Sequence, residues 1–350
     1  MQLLLKEHFP MIRDRETIIH EIGMSRALQS IFDSWTADQQ EEFLDFCTGA
    51  RGIKILYDVF IKEVLNPETV PEHVSSLLSV ILKREVRIVS PLPHEGSQIT
   101  AGGSLIVTDI LVVFEDGSYG NVEVQKIGYL FPGERAACYS ADLLLRQYKR
   151  VRSRQKKFSY KHMKPVYTIV IYENSPKEFH AFPDAFIHTI TPVSDTGIRL
   201  NLLQNYTFIA LDIFTKNHQN KVINSKLDAW MVFLSSDRPE DIVELITAYP
   251  EFKPLYEMLY DFCLNTEKVM EMFSKELRMM DDNTVAYMID IMQEEIDNQK
   301  KEIDSKKQEI DSKNQEIDNQ KQEIDSQKQE IDSLKDEIES LKRQLKKTEA

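Results

Sequence analysis

Two acidic residues near the middle of the chain have the types and the spacing of a metal site. Asp109 interrupts an apolar run, Val107 to Phe114, and Glu123 lies in a second run, 120–127. An Asp-Gly turn signal separates the two runs, so we predict a β-hairpin. A carboxylate is costly to bury among Val, Ile and Leu side chains without a partner. Two such carboxylates on neighbouring strands repel each other, and a divalent cation removes that repulsion.

The alternation of strand side chains adds a third polar group to this pair. Glu123 and Gln125 project from the same face of the second strand, and a short hairpin brings Asp109 close to them. Mg²⁺ prefers oxygen ligands and is often held by one or two carboxylates together with substrate phosphates. The pattern therefore indicates phosphodiester hydrolysis. The alternative is a hairpin whose acids face solvent, because D-x(13)-E-x-Q is a short and degenerate motif.

Asp109, the hairpin and the Glu123-x-Gln125 pair resemble the PD-(D/E)XK nuclease core. The resemblance covers about residues 53–211 and continues after the hairpin through the segments Phe131–Arg135, Leu143–Tyr148 and Pro165–Ile171. This order is most similar to the Rpn-type recombination-promoting nucleases, also called PD-(D/E)XK nuclease family transposases. One position departs from the superfamily pattern, because Gln125 stands where many such nucleases have Lys. The Rpn group commonly has Gln there.

The resemblance implies a fold, an activity and a set of ligands. The expected fold is α/β, with a mixed sheet flanked by helices as in restriction endonucleases. The expected activity is that of a Mg²⁺-dependent (or Mn²⁺-dependent) DNA endonuclease that promotes recombination. Asp109 and Glu123 would hold the metal, and Gln125 would orient the attacking water or a phosphate oxygen. Many enzymes of this class take a further acid from the helix before the hairpin. Glu85 is the nearest candidate, although its basic neighbours favour a surface salt bridge.

A helix after the hairpin is predicted to face DNA. We predict it from Pro132 to Arg150, with Arg135, Tyr139 and Asp142 on one face. Guanidinium groups match phosphate oxygens, so Arg135 is a candidate to contact the scissile phosphate. The alternative is that Arg135 pairs with a core acid or a backbone carbonyl.

A basic segment, residues 146–157, continues this helix and contains no acid. Its candidate DNA-binding residues are Arg146, Lys149, Arg150, Arg152 and Arg154, and Lys156 and Lys157 follow them. In an acidic chain such a segment is a candidate phosphate-binding surface. A solvated helix face is an equally weighted alternative.

The remaining chain is predicted to surround this core with helices. We predict an N-terminal helical segment at 1–52, a PD-(D/E)XK nuclease-like domain at 53–218, a helical region at 219–292 and a coiled coil at 293–350. Three runs, Val166–Tyr172, Ala185–Pro192 and Phe208–Phe214, are predicted to be further strands of the sheet.

The last segment is an internal repeat of seven residues. Isoleucine recurs at every seventh position from Ile296 to Ile338, and Leu345 follows. With Ile at heptad position a, position d is Gln or Lys in the first five heptads, and then Leu334 and Leu341. This period predicts a left-handed coiled coil that self-associates, and Ile at a with Leu at d favours two strands. The alternative is a single solvated helix held by local Glu–Lys pairs.

Composition limits the remaining possibilities. The chain has 350 residues, of which 42% are hydrophobic, so it can build a core and wholesale disorder is excluded. A net charge of −14 argues against a general nucleic-acid coat protein, although an acidic enzyme can bind DNA through a local basic surface.

The three cysteines, Cys47, Cys138 and Cys263, are odd in number and far apart in the sequence, which indicates a reducing compartment and no disulfide framework. Without a signal-peptide pattern or an apolar run of about 18 residues, we expect a cytoplasmic protein with no membrane segment.

Two functions fit these patterns. The first is a metal-dependent endonuclease that acts on DNA as a homo-oligomer. The second is a catalytically inactive nuclease-like scaffold that works through protein interactions of its coiled coil.

Overall fold

A mixed sheet positions the acidic hairpin. The computed structural model describes residues 4–92, 108–128, 130–154, 158–219 and 221–348, without the side chains of 108, 109, 283, 286 and 343–348. In these residues six strands pair in the order β1-β2-β3-β4-β6-β5. Their bounds are β1 Ile88–Pro91, β2 Thr108–Phe114, β3 Tyr119–Gln125, β4 Val166–Tyr172, β5 Ile187–Ile190 and β6 Gln204–Ala210. The start of the first predicted strand, at Val107, lies outside the described residues.

The sheet combines one antiparallel hairpin with parallel strands. Strands β2 and β3 are antiparallel, whereas β3, β4 and β6 run parallel to one another. The turn between β2 and β3 uses Gly117 at φ 81°, a value that favours glycine, and Asp116 Oδ1 accepts a hydrogen bond from Ser118 N at 2.8 Å. A parallel pair needs a long crossover, and the one between β3 and β4 contains a helix, Pro132–Arg154.

Helices of the first unit, residues 1–287, pack on both faces of the sheet. Their bounds are α1 Leu4–His8, α2 Arg15–Met24, α3 Arg26–Asp33, α4 Ala37–Thr48, α5 Asp58–Val64, α6 Pro71–Leu82, α7 Pro132–Arg154, α8 Leu211–His218, α9 Lys226–Ser235, α10 Pro239–Ala248, α11 Lys253–Cys263 and α12 Thr266–Thr348. The predicted α/β fold with a mixed sheet and flanking helices is therefore confirmed. No helix in the described ranges carries an apolar stretch long enough to cross a bilayer.

The two faces of the sheet differ in polarity. On one face, Val122 and Val124 of β3 belong to a single large core that extends from Leu5 to Phe273. On the other face, α7 buries Leu143 against Tyr119 and Val166, and it buries Ala136 against Val170 and Tyr172. Polar residues of β3 lie between these two small apolar clusters.

The chain divides into two units, Met1–Tyr287 and Met288–Ala350. The segments predicted at 1–52, 53–218 and 219–292 all contribute buried residues to the large core of the first unit. Their individual limits stay predictions. The described residues of the second unit are entirely helical, as part of α12.

One strand prediction was wrong over half of its length. The run Phe208–Phe214 was assigned to a strand, but β6 ends at Ala210 and α8 begins at Leu211. Leu211, Ile213 and Phe214 are all buried on this short helix. A short apolar run does not distinguish a buried strand from a buried helix, so its periodicity carried no information here.

Candidate active site

The register of the hairpin brings the two predicted acids together. Asp109 of β2 is the direct partner of Glu123 of β3. Residues that are directly opposite on an antiparallel pair lie on the same face, with Cβ atoms about 4.5–5.5 Å apart. The single-residue slip that would separate the acids does not occur. The side chain of Asp109 lies outside the described part, so its role as a metal ligand stays a prediction.

Glu123 lies at the centre of a buried polar row on the α7 face. Its side chain is 0% exposed, and Oε1 accepts a hydrogen bond from Asn121 Nδ2 at 2.8 Å. Gln125 follows on the same face and is 3% exposed. Asn121 was not among the residues predicted from the sequence, although the period of two along Asn121, Glu123 and Gln125 places all three on one face.

Two buried oxygens beside Glu123 lack hydrogen-bond partners among the described residues. They are Asn121 Oδ1 and Thr168 Oγ1. Asn121 and Thr168 are direct partners across the parallel pair β3–β4, so both oxygens belong to the same polar row. Buried polar atoms of this kind need a water, an ion or a ligand.

The oxygen donors of this row fit Mg²⁺ or Mn²⁺. Carboxylates and amide oxygens are the ligands that hard divalent cations prefer. Among the described side chains, no three His, Cys, Asp or Glu groups lie together as a metal site. The pair Asp109 and Glu123 has fewer members than that, and Mg²⁺ is often held by only one or two carboxylates.

The charges of Arg135 on α7 and of Glu123 in the polar row both affect the pKa of Tyr172. The pKa of the Tyr172 hydroxyl is raised above its usual range, first by burial and next by the negative charge of Glu123, while the charge of Arg135 opposes the shift. Tyr172 is also the direct strand partner of Gln125. Arg135 and Glu123 therefore both act on one buried group, as expected for residues around a single site.

The basic segment is brought onto one helix, but its cations have different surroundings. Arg146 Nε is paired with Asp142 Oδ2 at 2.7 Å, one turn earlier on α7. Arg150 and Arg152 donate to phenolic oxygens, those of Tyr119 at 3.4 Å and Tyr148 at 2.5 Å.

Two cations of the basic segment project freely from α7. Lys149 and Arg154 are exposed, and within the described chain neither has an ion-pair partner. Lys156 and Lys157 lie outside the described residues. The DNA-binding role of the segment stays a prediction.

The ion pair of Glu85 is with Arg87 and not with a residue of the candidate site. Its side chain is 75% exposed and pairs with Arg87 at 2.7 Å. This is the surface salt bridge that its basic neighbours favoured.

A lysine does follow the Gln125 position, but on the other face of the sheet. Lys126 is 5% exposed and forms a buried ion pair with Glu276 of α12, within the first unit. Its Nζ also lies 4.5 Å from the centre of the Tyr57 ring. Lys126 is therefore held in the core by Glu276 and does not share the α7 face with Glu123 and Gln125.

A third carboxylate, Glu173, lies close to this ion pair. Burial raises the pKa of Glu173, and the positive charges of Lys126 and Lys54 offset part of the shift. A folded-state pKa above the ordinary glutamate value contributes stability below that ordinary value, and the contribution is lost as pH rises through the raised pKa.

We therefore expect Glu173→Gln to stabilise the protein at pH 7 relative to wild type, and to have little effect at pH 4. Urea unfolding at both pH values measures this difference. The exposed Glu178→Gln serves as the control, with no pH-dependent gain expected. An equal effect of Glu173→Gln at the two pH values would show that this carboxyl titrates normally.

Comparisons with known proteins add one result to this geometry. A family model described as PD-(D/E)XK nuclease family transposase matches residues 56–288. No curated protein and no solved structure gives a significant match.

Proposed function

The chain belongs to the PD-(D/E)XK nuclease family transposases, and from this premise we propose that it is a metal-dependent DNA endonuclease of the recombination-promoting, Rpn type. The observation that carries the proposal is the direct pairing of Asp109 with Glu123 on a buried polar face of the sheet. A plasmid-nicking assay with and without Mg²⁺ tests it. Nicking that depends on Mg²⁺ is the expected result.

Asp109 and Glu123 are the proposed metal ligands. Mg²⁺ or Mn²⁺ bound there would polarise the scissile phosphate and lower the pKa of the attacking water. The hydrogen bond from Asn121 fixes the orientation of the Glu123 carboxylate. The amide of Gln125 carries no charge, so its proposed role is to orient the attacking water or a phosphate oxygen rather than to neutralise charge.

Arg135 is the proposed contact to the scissile phosphate. Its guanidinium acts on Tyr172 together with Glu123, which supports a place beside the metal ligands. A guanidinium fork offers two parallel hydrogen bonds to phosphate oxygens.

One partly exposed flank of α7 is the proposed path for the DNA backbone. Arg135, Tyr139, Asp142, Arg146 and Lys149 follow one another at spacings of three and four residues, so they form one stripe along the helix. This stripe is about 21 Å long at 1.5 Å per residue. It begins at Arg135 and ends at the exposed Lys149, and the exposed Arg154 follows five residues later on the same helix.

Removing those two free cations is expected to weaken binding without changing sequence preference. Lys149→Gln/Arg154→Gln should lower DNA affinity equally for all sequences and reduce the slope of log K against log salt by about 1.8, since each lost phosphate contact contributes about 0.9. Titrations of DNA at several salt concentrations measure this slope. The matched control is Lys268→Gln/Arg278→Gln, which removes two exposed cations from α12. Identical slopes for the two double variants would reject the path along α7.

The remaining assignments concern partner and location. We propose that DNA is the substrate and that the coiled coil makes the chain a homo-oligomer, so that two sites can cut two strands. We place the protein in the cytoplasm, in accord with three cysteines that carry no disulfide.

The second candidate function is an inactive nuclease-like scaffold that works through the coiled coil. Its support is the exposed heptad isoleucines of the second unit, which offer an interaction surface that does not depend on cleavage. Equal nicking with and without Mg²⁺ at background level would favour this second function.

A further inference from the structure

An exposed apolar stripe extends along the second unit. Its members are Ile296, Ile303, Ile310, Ile317, Ile324, Ile331 and Ile338, each between 46% and 57% exposed. We call this stripe the isoleucine seam. It spans about 63 Å of helix at 1.5 Å per residue. In the described residues of this unit nothing covers it, and a β-branched apolar residue at every seventh position is the pattern of a helix–helix interface.

We propose that a second copy of this chain covers the isoleucine seam in a parallel, in-register arrangement. The proposal rests on the homo-oligomer proposed above and adds its orientation and alignment. Orientation decides whether the two nuclease units leave the coiled coil at the same end or at opposite ends.

The charges beside the seam favour the parallel orientation. Each isoleucine is preceded by a glutamate, from Glu295 to Glu337, at heptad position g. Position e is lysine in every heptad from Lys300 to Lys342 except at Asn314. In a parallel pair, position g of one chain meets position e of the next heptad in the other, so glutamate meets lysine. In an antiparallel pair, g meets g and e meets e, so glutamate would meet glutamate and lysine would meet lysine.

The composition of the core layers points in the same direction. In a parallel, in-register pair, residues at a meet the same residues of the second copy, so every isoleucine layer is wholly apolar. In an antiparallel pair, layers combine a with d, and isoleucines would meet Gln299, Lys306 or Gln320. Only the parallel arrangement keeps the isoleucines together.

The lysines at position d are compatible with this interface because each can turn its ammonium toward the glutamate one turn earlier, and Glu302 can contact both Lys306 of its own chain and Lys307 of the second copy. Lys306 Nζ bonds Glu302 at 2.6 Å, and Lys313 Nζ bonds Glu309 at 2.6 Å. Both bonds draw the ammonium toward the flank of the helix, while the hydrocarbon stem stays beside the seam.

The two leucine layers determine the alignment. In register, Leu334 meets Leu334 and Leu341 meets Leu341 of the second copy. A shift of one heptad keeps the charge pairs but places one leucine opposite Gln327 or beyond the repeat. The in-register alignment therefore buries more apolar surface.

Disulfide trapping of the full-length protein tests orientation and alignment together. Gln299→Cys, at a d position near one end of the repeat, is made in a Cys138→Ser background because Cys138 is an exposed free cysteine. In a glutathione redox buffer we expect this variant to form a covalent dimer, because opposing d positions of a parallel pair satisfy disulfide geometry. The matched control is Asn298→Cys, one residue earlier on the solvent side, which should give at least about tenfold less dimer.

A mixture of Gln299→Cys and Ile338→Cys chains tests the opposite orientation. Mass spectrometry of the linked peptides should show each position joined to itself. Predominant links between positions 299 and 338 would overturn the parallel arrangement, and a monomeric or trimeric mass of wild type in light scattering at micromolar concentration would overturn the pairing. Neither readout depends on DNA cleavage, so failure here is distinct from failure of the nuclease proposal.

Discussion

Glu123→Gln is expected to lower the rate of DNA cleavage by about a thousandfold or more. The substitution keeps the size of the side chain and an oxygen that Asn121 can bond, but it removes the charge proposed to hold the cation. Metal stabilisation of the transition state is worth several kcal/mol, and each 1.4 kcal/mol corresponds to about a factor of ten in rate. Single-turnover cleavage of plasmid DNA at saturating Mg²⁺ measures the loss, and Asp109→Asn should behave in the same way.

The same substitution should leave the fold intact, because glutamine matches glutamate in size and its side-chain oxygen can still accept the bond from Asn121. We expect Mn²⁺ to raise the midpoint of thermal unfolding of wild type and to leave that of Glu123→Gln unchanged, because a ligand stabilises only the fold that binds it. Loss of this metal-dependent gain together with loss of activity distinguishes a metal ligand from a residue that only supports the fold.

Glu115→Gln provides the matched control on the same hairpin. Glu115 is an exposed carboxylate just after β2, and its backbone N–H donates to Arg87 O. The Glu115→Gln variant should cleave DNA at the wild-type rate, and calorimetry should show that it binds Mn²⁺ as wild type does. If Glu123→Gln also retained wild-type cleavage, the activity would belong to other residues or to a contaminant.

The part of the site that could be predicted from the sequence is the part fixed by local geometry. A turn signal and the period of two along a strand were enough to pair Asp109 with Glu123 and to place Gln125 beside them, because these relations span fewer than twenty residues. The same period could have identified Asn121. The end of β6 could not be found in this way, because the run Phe208–Phe214 is apolar in both its strand and its helix halves.

Contacts between distant parts of the chain could not be predicted from sequence patterns. Lys126 and Glu276 are 150 residues apart, and nothing near either residue indicates the other. The continuous core from Leu5 to Phe273 has the same character, since periodicity assigns an apolar face to each helix but does not say which faces meet. The heptad repeat is the opposite case, because its period alone defines the seam.

Lys126→Met is expected to destabilise the first unit by about 3–5 kcal/mol, because it leaves the buried carboxylate of Glu276 without its counter-charge. The side chains of Lys126 and Glu276 are 5% and 2% exposed, so water does not replace the lost partner. The remaining hydrogen bond to Glu276, from Asp58 N at 3.0 Å, is not sufficient to compensate a full charge. Glu173 also loses a nearby positive charge, which adds to the cost. Urea unfolding at pH 7 measures the change.

The reverse substitution and the double variant make this expectation specific to the pair. Glu276→Gln should cost less than Lys126→Met, because the charge of Glu173 still faces the lysine and the glutamine still accepts from Asp58 N. The double variant Lys126→Met/Glu276→Gln should recover most of the loss, since no unpaired charge remains in the core. The control is Lys226→Met, which breaks the ion pair of Lys226 with Glu251, 46% and 52% exposed, and an exposed pair of this kind contributes at most about 1 kcal/mol. Loss of DNA cleavage by Lys126→Met at unchanged stability would instead place this lysine in the catalytic site and contradict the assignment of Gln125 to that position.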